Sequence, residues 1–508
     1  MAIAAVTTRA CNGVDAPIVS VEVHLSKGLP SFNLVGLPET SVKEAKERVR
    51  SALINAGFEF PMCRITVNLA PADLPKQGGR YDLPIAVGIL AASNQIPLAS
   101  IQQYEFTGEL ALSGHIRPCQ AILPAIISAR QQNQAIVIPL DNRPQAELVG
   151  FDKVFLANHL QQLAAHLHGQ QSLPEISQGL TWVTVEDEPN TVCLSDIIGQ
   201  YQAKQALEIA AAGNHNLLLI GPPGTGKTML ASRIIDLLPK MDYDEALEVA
   251  ALYSVSGQEV PLKDFYRRPF RSPHHTSSAI SLVGGGSIPK PGEISLAHKG
   301  VLFLDEIAEF PRKVLDCLRE PMETGEVVIS RAAAKLTFAS NFQLIAAMNP
   351  SPCGSADANS RSSPDQILRY LSKLSGPFLD RFDLTIDVPR LPSGSLSNTA
   401  HQATETSAQV ATRVQAAIDR QLSRQGHLNS QLSGKQLQQH SGFKQVDIQF
   451  LENSVEKLGL SIRSFHRIQR VARTIADLQD SSQVTRPHIA QALGYRAMDK
   501  LLKQLQQY

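Results

Sequence analysis

Apolar residues recur with different periods in three successive parts of this chain. In the first part, alternating apolar and polar positions predict strands, and stretches with apolar residues three and four positions apart predict helices between them. The predicted strands are 18–25, 31–37, 64–69, 106–112 and 135–138, and the predicted helices are 42–56, 83–92 and 122–129. This mixture indicates an α+β domain over residues 1–169.

The second part alternates apolar strands with helical stretches. A helical stretch at 200–212 is followed by predicted strands at 216–220, 301–304, 326–330, 336–338, 342–347 and 384–388. Such alternation is typical of a parallel α/β sheet, which we assign to residues 194–390. Residues 170–193 lose the periodicity and carry an acidic run, so they are interpreted as a linker.

The third part has the 3.6-residue period alone. A stretch rich in Ser, Thr and Gln, 391–408, is interpreted as a second linker, and residues 409–508 are predicted to form a smaller all-α domain. The chain is therefore a multidomain protein whose three folded parts are α+β, α/β and all-α.

The composition excludes several classes of protein and adds no further domain to this assignment. The chain has 508 residues, with 47 Lys and Arg against 47 Asp and Glu, so an overall basic nucleic-acid binder is excluded and any phosphate-binding surface must be local. The six cysteines are scattered singly, which argues against a disulfide framework. Since no stretch is apolar enough to cross a bilayer, we expect a soluble cytoplasmic protein with no membrane partner.

The strongest chemical signal is the sequence GPPGTGKT between a predicted strand and a predicted helix. Its glycines allow the backbone to point N–H groups at phosphate, Lys227 is placed to meet the β and γ phosphates, and the Thr228 hydroxyl is placed to ligate Mg²⁺. Such a pattern also arises by chance, but the flanking strand and helix predict an ATP site. The predicted nucleotide-binding residues are Gly221, Pro222, Pro223, Gly224, Thr225, Gly226, Lys227, Thr228 and Met229.

Two further predicted strands end in polar residues suited to this site. The strand 301–304 ends in Asp305 and Glu306, predicted to hold Mg²⁺ and to polarise the attacking water. The strand 342–347 leads to Asn349, a candidate to orient the water or sense the γ phosphate. The plain alternatives are an ordinary strand end and a turn-forming Asn before proline.

Two groups of basic residues are candidate DNA contacts. The first surrounds a segment rich in glycine and consists of Arg267, Arg268, Arg271, His274, His275 and Lys290. The second lies on one predicted helix face, where Arg463, Arg467 and Arg470 are spaced i, i+4, i+7. The alternative for this face is a solvated surface or a contact between subunits.

The order of GPPGTGKT, VLFLDE, AAMNP and GPFLDRFDL resembles an AAA+ ATPase of the branch that carries a helix-2 insert, here 270–300. NLVGLPETSVKEAKERVRSAL and NLAPADLPKQGGRYDLPIAVGILAA are similar to the YifB/ComM family of magnesium-chelatase-like proteins. The resemblance implies that Arg381 is an arginine finger, that Arg463 is a sensor-2 arginine on an all-α lid, and that the chain forms a hexameric ring. It also implies ATP-driven branch migration of single-stranded or branched DNA, with little sequence preference, in natural transformation. The bland interpretation of Arg381, between Asp380 and Asp383, is a surface ion pair.

The N-terminal domain is similar to the proteolytic domain of Lon, which has a ribosomal S5 domain 2-like fold and a Ser and Lys pair. Arg80 stands where that resemblance places the serine, and the lysine position falls near Leu123, so we expect no proteolysis. Relatives carry paired cysteines after the Asn349 position, whereas this chain has Ser351 and Cys353, so we expect no zinc.

Three functions stay open from the sequence. The first is a DNA branch-migration or helicase-type translocase, and the second is a magnesium-chelatase-type motor subunit. The third is an ATPase that remodels proteins through its N-terminal domain. The N-terminal domain disfavours the second, because chelatase ATPase subunits resemble only the part from about Ser195 onward.

Overall fold

A seven-stranded mixed sheet forms the frame of the N-terminal region, with strand order β3-β4-β2-β1-β5-β8-β9. The computed structural model describes residues 2–36, 42, 44–176, 192–286, 289–331, 334–354, 362–392 and 405–505. The N-terminal strands are β1 (Ala2–Arg9), β2 (Ile18–Ser26), β3 (Ser31–Val35), β4 (Arg64–Ala70), β5 (Tyr104–Phe106), β6 (Glu109–Leu110), β7 (Ile116–Arg117), β8 (Ala135–Pro139) and β9 (Val154–Ala157). The helices are α1 (Ala45–Asn55), α2 (Asp82–Ala92), α3 (Leu98–Ile101), α4 (Leu123–Gln131), α5 (Arg143–Val149) and α6 (Leu160–Leu167).

The alternation predicted for β2 and β4 places one side chain in two against the core. Val19, Val21 and Val23 are buried on one face, where they pack with α2, a helix buried along its whole length. Two predictions need correction. The strand predicted at 106–112 is split, because β5 and β6 belong to different sheets, and β1 was missed because its buried positions are mostly the small residues of AIAAVTTR.

The central region is a five-stranded parallel sheet of order β11-β14-β17-β10-β18. Its strands, together with four short ones, are β10 (Leu217–Ile220), β11 (Phe270–Arg271), β12 (Gly284–Gly285), β13 (Lys290–Pro291), β14 (Val301–Leu304), β15 (Glu326–Arg331), β16 (Ala334–Ala339), β17 (Gln343–Met348) and β18 (Leu384–Asp387). The helices are α7 (Tyr201–Gly213), α8 (Lys227–Ser232), α9 (Tyr243–Ser256), α10 (Ala279–Val283), α11 (Glu293–Leu296), α12 (Arg312–Asp316), α13 (Pro321–Thr324), α14 (Pro364–Leu371) and α15 (Gly376–Leu379).

The central strands are buried on both faces, as expected of a parallel sheet covered by helices. The strands predicted at 326–330 and 336–338 lie outside this sheet. They pair with each other as an antiparallel hairpin, β15–β16. Strands that lie close together in the chain often pair with each other, and the sequence pattern alone does not distinguish this from a place in the main sheet.

Helices make up the described part of the C-terminal region. They are α16 (Ser407–Gln425), α17 (Gly434–His440), α18 (Gln445–Lys457), α19 (Ile462–Leu478), α20 (Arg486–Gly494) and α21 (Ala497–Leu505). The helix α16 begins at Ser407, within the predicted linker 391–408, because the Thr406 side chain caps it in a capping box with Gln409. Most of both predicted linkers lies outside the described residues.

The N-terminal region and the central region share one hydrophobic core. Met241, Leu247 and Phe265 of the central region pack among buried residues of α4, α5, β8 and β9. The Tyr243 hydroxyl donates to the Val149 carbonyl oxygen at 2.7 Å. The base of the β15–β16 hairpin also contacts the N-terminal region, where a ring carbon of Phe338 lies 3.3 Å from the ideal Cβ position of Gly13.

Among the residues that the structure describes, none of the helices is both long enough and apolar enough to span a lipid bilayer.

Candidate nucleotide-binding site

The loop 221–226 connects the end of β10 to the start of α8. It lies at the carboxyl edge of the parallel sheet, by which we mean the side where the strands end; the amino edge is the side where they begin. Gly226 is the N-cap of α8 and has φ +85°, a left-handed conformation that favours glycine. At Gly221 any side chain is excluded, because an added Cβ would lie 2.2 Å from the Val388 carbonyl oxygen. The Thr225 hydroxyl closes the loop by donating to the Pro222 carbonyl oxygen, while Pro223, Gly224 and Met229 lie exposed.

Lys227 is buried against this loop and reaches the end of β17. Its Nζ lies 2.8 Å from the Gly221 carbonyl oxygen, 2.9 Å from that of Pro222 and 3.2 Å from Oδ1 of Asn349. Burial lowers the pKa of Lys227, although the charges of Asp305 and Glu306 oppose this shift. The ammonium therefore rests on weak carbonyl partners, which phosphate oxygens can replace.

Thr228 and Asp305 meet beside the loop, as predicted for a Mg²⁺ site. The Thr228 hydroxyl donates to Oδ2 of Asp305 at 2.7 Å, and the other carboxylate oxygen accepts the Glu306 backbone N–H at 2.9 Å. A hydroxyl and a carboxylate are hard oxygen donors of the kind that Mg²⁺ takes together with substrate phosphates. These two residues fit the ion.

Glu306 occupies a strained turn directly after β14. Its φ of +50° is left-handed, which is costly for a residue with a side chain and is concentrated at functional sites. The carboxylate is half-exposed, and its Oε2 lies 3.7 Å from Nδ1 of His275. The carboxylate is thus presented beyond the strand end, where a water attacking the γ phosphate would need it.

The contact with His275 was not predicted, since the sequence suggested only a DNA role for this residue. The register of two neighbouring strands accounts for the position of His275. The strands β11 and β14 are parallel and pair Phe270 with Val301 and Arg271 with Leu302. Continued at the same spacing, that register places His275 opposite Glu306. The rings of His274 and His275 lie 4.1 Å apart, and the His274 imidazole also contacts the Thr276 hydroxyl.

Arg381 lies at the other end of the sheet. It stands between α15 and β18, and its carbonyl oxygen accepts a hydrogen bond from the Asn216 side chain, just before β10. The four residues of β10 separate this amino edge from the loop at 221, roughly 13 Å along the strand at 3.3 Å per residue. Arg381 therefore does not join the nucleotide site of its own chain.

Arg463 lies at the same amino edge, at the start of α19. Its side chain is 70% exposed, and its Nη1 lies 3.7 Å from the carboxylate of Asp380, the neighbour of Arg381. The arginine finger and the sensor-2 arginine implied by the family resemblance are thus together, and both are away from Lys227. The structure groups the predicted site residues into two sets, one at each edge of the sheet.

On the helix face predicted to contact DNA, Arg467 and Arg470 instead contact other residues of the same chain. Arg467 is buried, with its guanidinium 3.9 Å from Asp380 and 3.8 Å from Asp383, and Arg470 donates to the Ser430 carbonyl oxygen. Burial would raise the pKa of Asp383, but the imidazole of His215 and the charges of Arg470 and Arg467 lower it to about 2. This face holds the helical region against the sheet.

The candidate DNA contacts of the insert divide into two groups. Arg268 pairs with Glu245, and Arg271 forms a bidentate pair with Glu293 at 2.6 and 2.8 Å. Both guanidinium charges are therefore neutralised within the chain. Arg267 is 55% exposed and 3.9 Å from Asp236, while His274 and Lys290 are also exposed.

Comparison with known families covers nearly the whole chain. Residues 193–396 match a family described as magnesium chelatase, subunit ChlI, and residues 404–496 match its C-terminal part. Residues 21–142 match a family described as subunit ChlI of Mg-chelatase.

Individual relatives cover the same length. The chain is 54% identical over 507 residues to competence protein ComM of Haemophilus influenzae, which covers 99% of both chains. It is 51% identical over 509 residues to the protein YifB of Escherichia coli, covering 100% of this chain and 99% of YifB. A magnesium-chelatase 67 kDa subunit of Chlorobaculum parvum is more distant, at 25% identity over 162 residues, 32% of this chain and 24% of that subunit.

Proposed function

Because this chain belongs to the ComM/YifB family of magnesium-chelatase-like proteins, whose AAA domain implies ATP hydrolysis, we propose that it is a ring-forming motor that uses ATP to branch-migrate DNA. The ring is a hexamer, and the DNA is single-stranded or branched, recognised with little sequence preference. The observation that supports a ring is that the predicted site residues are divided between the two edges of one sheet.

The carboxyl edge accounts for ATP binding and for the chemistry of water activation. Lys227 binds the β and γ phosphates, and Thr228 and Asp305 hold Mg²⁺, which when bound neutralises charge on those phosphates. Glu306 accepts a proton from the attacking water, and Asn349, within reach of Lys227, orients that water or the γ phosphate. Each of these groups comes from one chain.

The amino edge supplies what the carboxyl edge lacks. A hydrolysing site gains from a cation on the γ phosphate, yet Arg381 and Arg463 lie at the far end of β18 from their own loop. In a ring, the amino edge of one subunit faces the carboxyl edge of the next, so both arginines act in trans. Such a head-to-tail interface differs from that of a two-fold dimer, and its repetition forms a ring when the rotation between subunits closes.

The proposal of DNA as substrate has two supports. Haemophilus ComM, which is 54% identical, is named a competence protein, and the family resemblance implies branch migration of DNA in natural transformation. Lys290 of the insert is exposed and pairs with Gly285 between β12 and β13, and Arg267, just before the insert, is 55% exposed. Repeated around a ring, these cations form a suitable surface for phosphates. Since the chain has no net charge, this repeated patch supplies the DNA affinity.

The deciding experiment measures ATP hydrolysis by the full chain with and without a synthetic four-way DNA junction, and in parallel the conversion of that junction to duplex products. We expect the junction to stimulate hydrolysis, and ATP with Mg²⁺ to drive the conversion, while a Glu306→Gln variant binds the junction without converting it. Rings that hydrolyse ATP at the same rate with and without DNA, and that bind no junction at low salt, would refute the DNA part and favour protein remodelling.

The chelatase-type motor is the second candidate. The sequence-based reason for setting it aside is weakened, because residues 21–142 match a family that is itself described as a chelatase subunit. Sequence identity favours the DNA motor over the chelatase motor, since the chelatase relative is 25% identical over 162 residues and ComM is 54% identical over 507. A porphyrin metal-insertion assay with partner subunits tests this candidate directly.

A further inference from the structure

At the amino edge, the side chain of Arg381, the proposed arginine finger, is bound to residues of its own chain. The guanidinium of Arg381 pairs with the carboxylate of Glu323 and donates to the Pro377 carbonyl oxygen. The Arg381 side chain is only 13% exposed, whereas Glu323 is 68% exposed. Glu323 belongs to α13, which leads directly into the hairpin β15–β16.

This arrangement is incompatible with a finger in action. A guanidinium that contacts the γ phosphate of a neighbouring subunit must leave this covered position. If Glu323 accompanied it, a carboxylate would face the phosphate, and two like charges at close range repel. The pair between Glu323 and Arg381 must therefore open whenever the finger engages.

The rest of Arg381 is fixed without any help from Glu323. Its backbone N–H donates to the Phe378 carbonyl oxygen at 2.9 Å, and its own carbonyl oxygen accepts from Asn216 at 3.0 Å. Loss of the Glu323 carboxylate would thus remove the charged partner of the guanidinium and leave it the Pro377 carbonyl oxygen, without displacing the backbone that aims it.

We propose that Glu323 is a positioning residue that latches Arg381 in the unengaged position and so sets how readily two subunits complete an ATP site. This inference rests on the proposed role of Arg381 in trans. The latch competes with the neighbouring phosphate for one guanidinium, so it opposes assembly of the active interface. Once the interface is saturated, the latch is open and has no effect on turnover.

The test measures ATP hydrolysis by the full chain as a function of protein concentration, with MgATP present. Because one partner of the pair is largely exposed, we expect Glu323→Gln to lower the protein concentration for half-maximal activity by about two- to fivefold, with saturating turnover unchanged. Glu323→Asp, which keeps the charge, should restore the wild-type value. The matched control is Glu320→Gln, an exposed carboxylate on the preceding helical turn that forms no ion pair among the described residues, and it should leave both quantities unchanged.

Two further variants separate this inference from the proposal on which it rests. If Glu323 acts through Arg381, the double variant Glu323→Gln, Arg381→Ala should match Arg381→Ala alone in both quantities. An unchanged half-maximal concentration, or a lower saturating turnover, in Glu323→Gln would overturn the latch even if Arg381→Ala is inactive. Wild-type turnover in Arg381→Ala would instead refute the trans arginine, and the latch with it.

Discussion

The two edges of the central sheet carry polar residues of opposite character. At the carboxyl edge, Lys227 contacts Asn349 and Thr228 contacts Asp305, so the residues of the proposed phosphate site lie together within a single chain. At the amino edge, Arg381 and Arg463 have carboxylate partners and no phosphate-binding loop. The carboxyl edge thus groups the residues proposed to bind the nucleotide, and the amino edge groups the arginines proposed to act on a neighbouring subunit.

This difference shows why two short strands, β10 and β18, matter. A parallel strand fixes the distance between its two ends, so β10 and β18 hold the two sets apart in every subunit. On the proposed function, a single chain then binds ATP but lacks the two arginines that speed its hydrolysis. Activity should consequently depend on assembly far more than binding does.

The largest expected effect comes from removing the amino-edge finger. Arg381→Ala should lower turnover by roughly three to five orders of magnitude, because a trans arginine stabilises transition-state charge, and it should leave ATP binding unchanged. Turnover and the binding of a fluorescent ATP analogue are measured on the same samples. Arg117→Ala, an exposed arginine of the N-terminal region, is the control and should resemble the wild type.

Mixing makes the same comparison sharper. Lys227→Ala should neither bind nor hydrolyse ATP, yet mixed with Arg381→Ala it should regain part of the activity. At some mixed interfaces one subunit then supplies an intact loop and the other an intact finger. Full hydrolysis by isolated monomers at high dilution would contradict the division of the site.

The next effect lies at the carboxyl edge. Glu306→Gln should slow hydrolysis by about 10²- to 10⁴-fold, since it loses the acceptor for the proton of water but keeps every phosphate contact. Single-turnover hydrolysis and ATP binding are the measurements. Glu309→Gln, three residues later and paired with Lys373 at the surface, is the matched control. Full turnover in Glu306→Gln would remove Glu306 from the mechanism.

A smaller effect is expected from Arg463. If it contacts the neighbouring phosphate as well, Arg463→Ala loses one charge-assisted hydrogen bond, which corresponds to roughly a 10- to 100-fold lower kcat/KM. The comparison variant is Arg420→Ala, whose partner Asp480 lies elsewhere on the helical region. A loss of ATP affinity in dilute monomers would instead place Arg463 at its own nucleotide.

The smallest effect concerns DNA. Arg267→Ala combined with Lys290→Ala should weaken DNA binding and reduce the slope of log affinity against log salt by about one for each phosphate that is no longer neutralised. Basal hydrolysis should persist, and Lys435→Ala on the helical region should change neither quantity. An unaltered salt slope in the double variant would show that Arg267 and Lys290 do not contact DNA.

A different effect is expected at Arg271, where Arg271→Ala should lower thermal stability, because it leaves Glu293 without its bidentate partner.

The sequence predicted that the residues of the carboxyl edge lie together, because each of them belongs to a recognisable motif or follows one. Lys227, Thr228 and Asp305 follow strands whose apolar runs are unmistakable, and parallel strands bring their ends together. The amino edge was named only through family resemblance, since nothing in a linear pattern reveals which end of a strand an arginine lies beside. The pairs of Arg268 and Arg271 were equally hidden, because their carboxylate partners lie 23 and 22 residues away in the chain.

The shared core between the N-terminal and central regions limits how this protein can be divided. A shortened chain that begins at residue 192 would leave Met241, Leu247 and Phe265, now buried, facing water. An apolar patch of that kind promotes aggregation, so such a fragment should be poorly soluble and a poor substitute in assays of the motor. Gene fusions or deletions that separate these two regions would then fail through loss of solubility, and the N-terminal region would be retained during evolution even where it has no catalytic role.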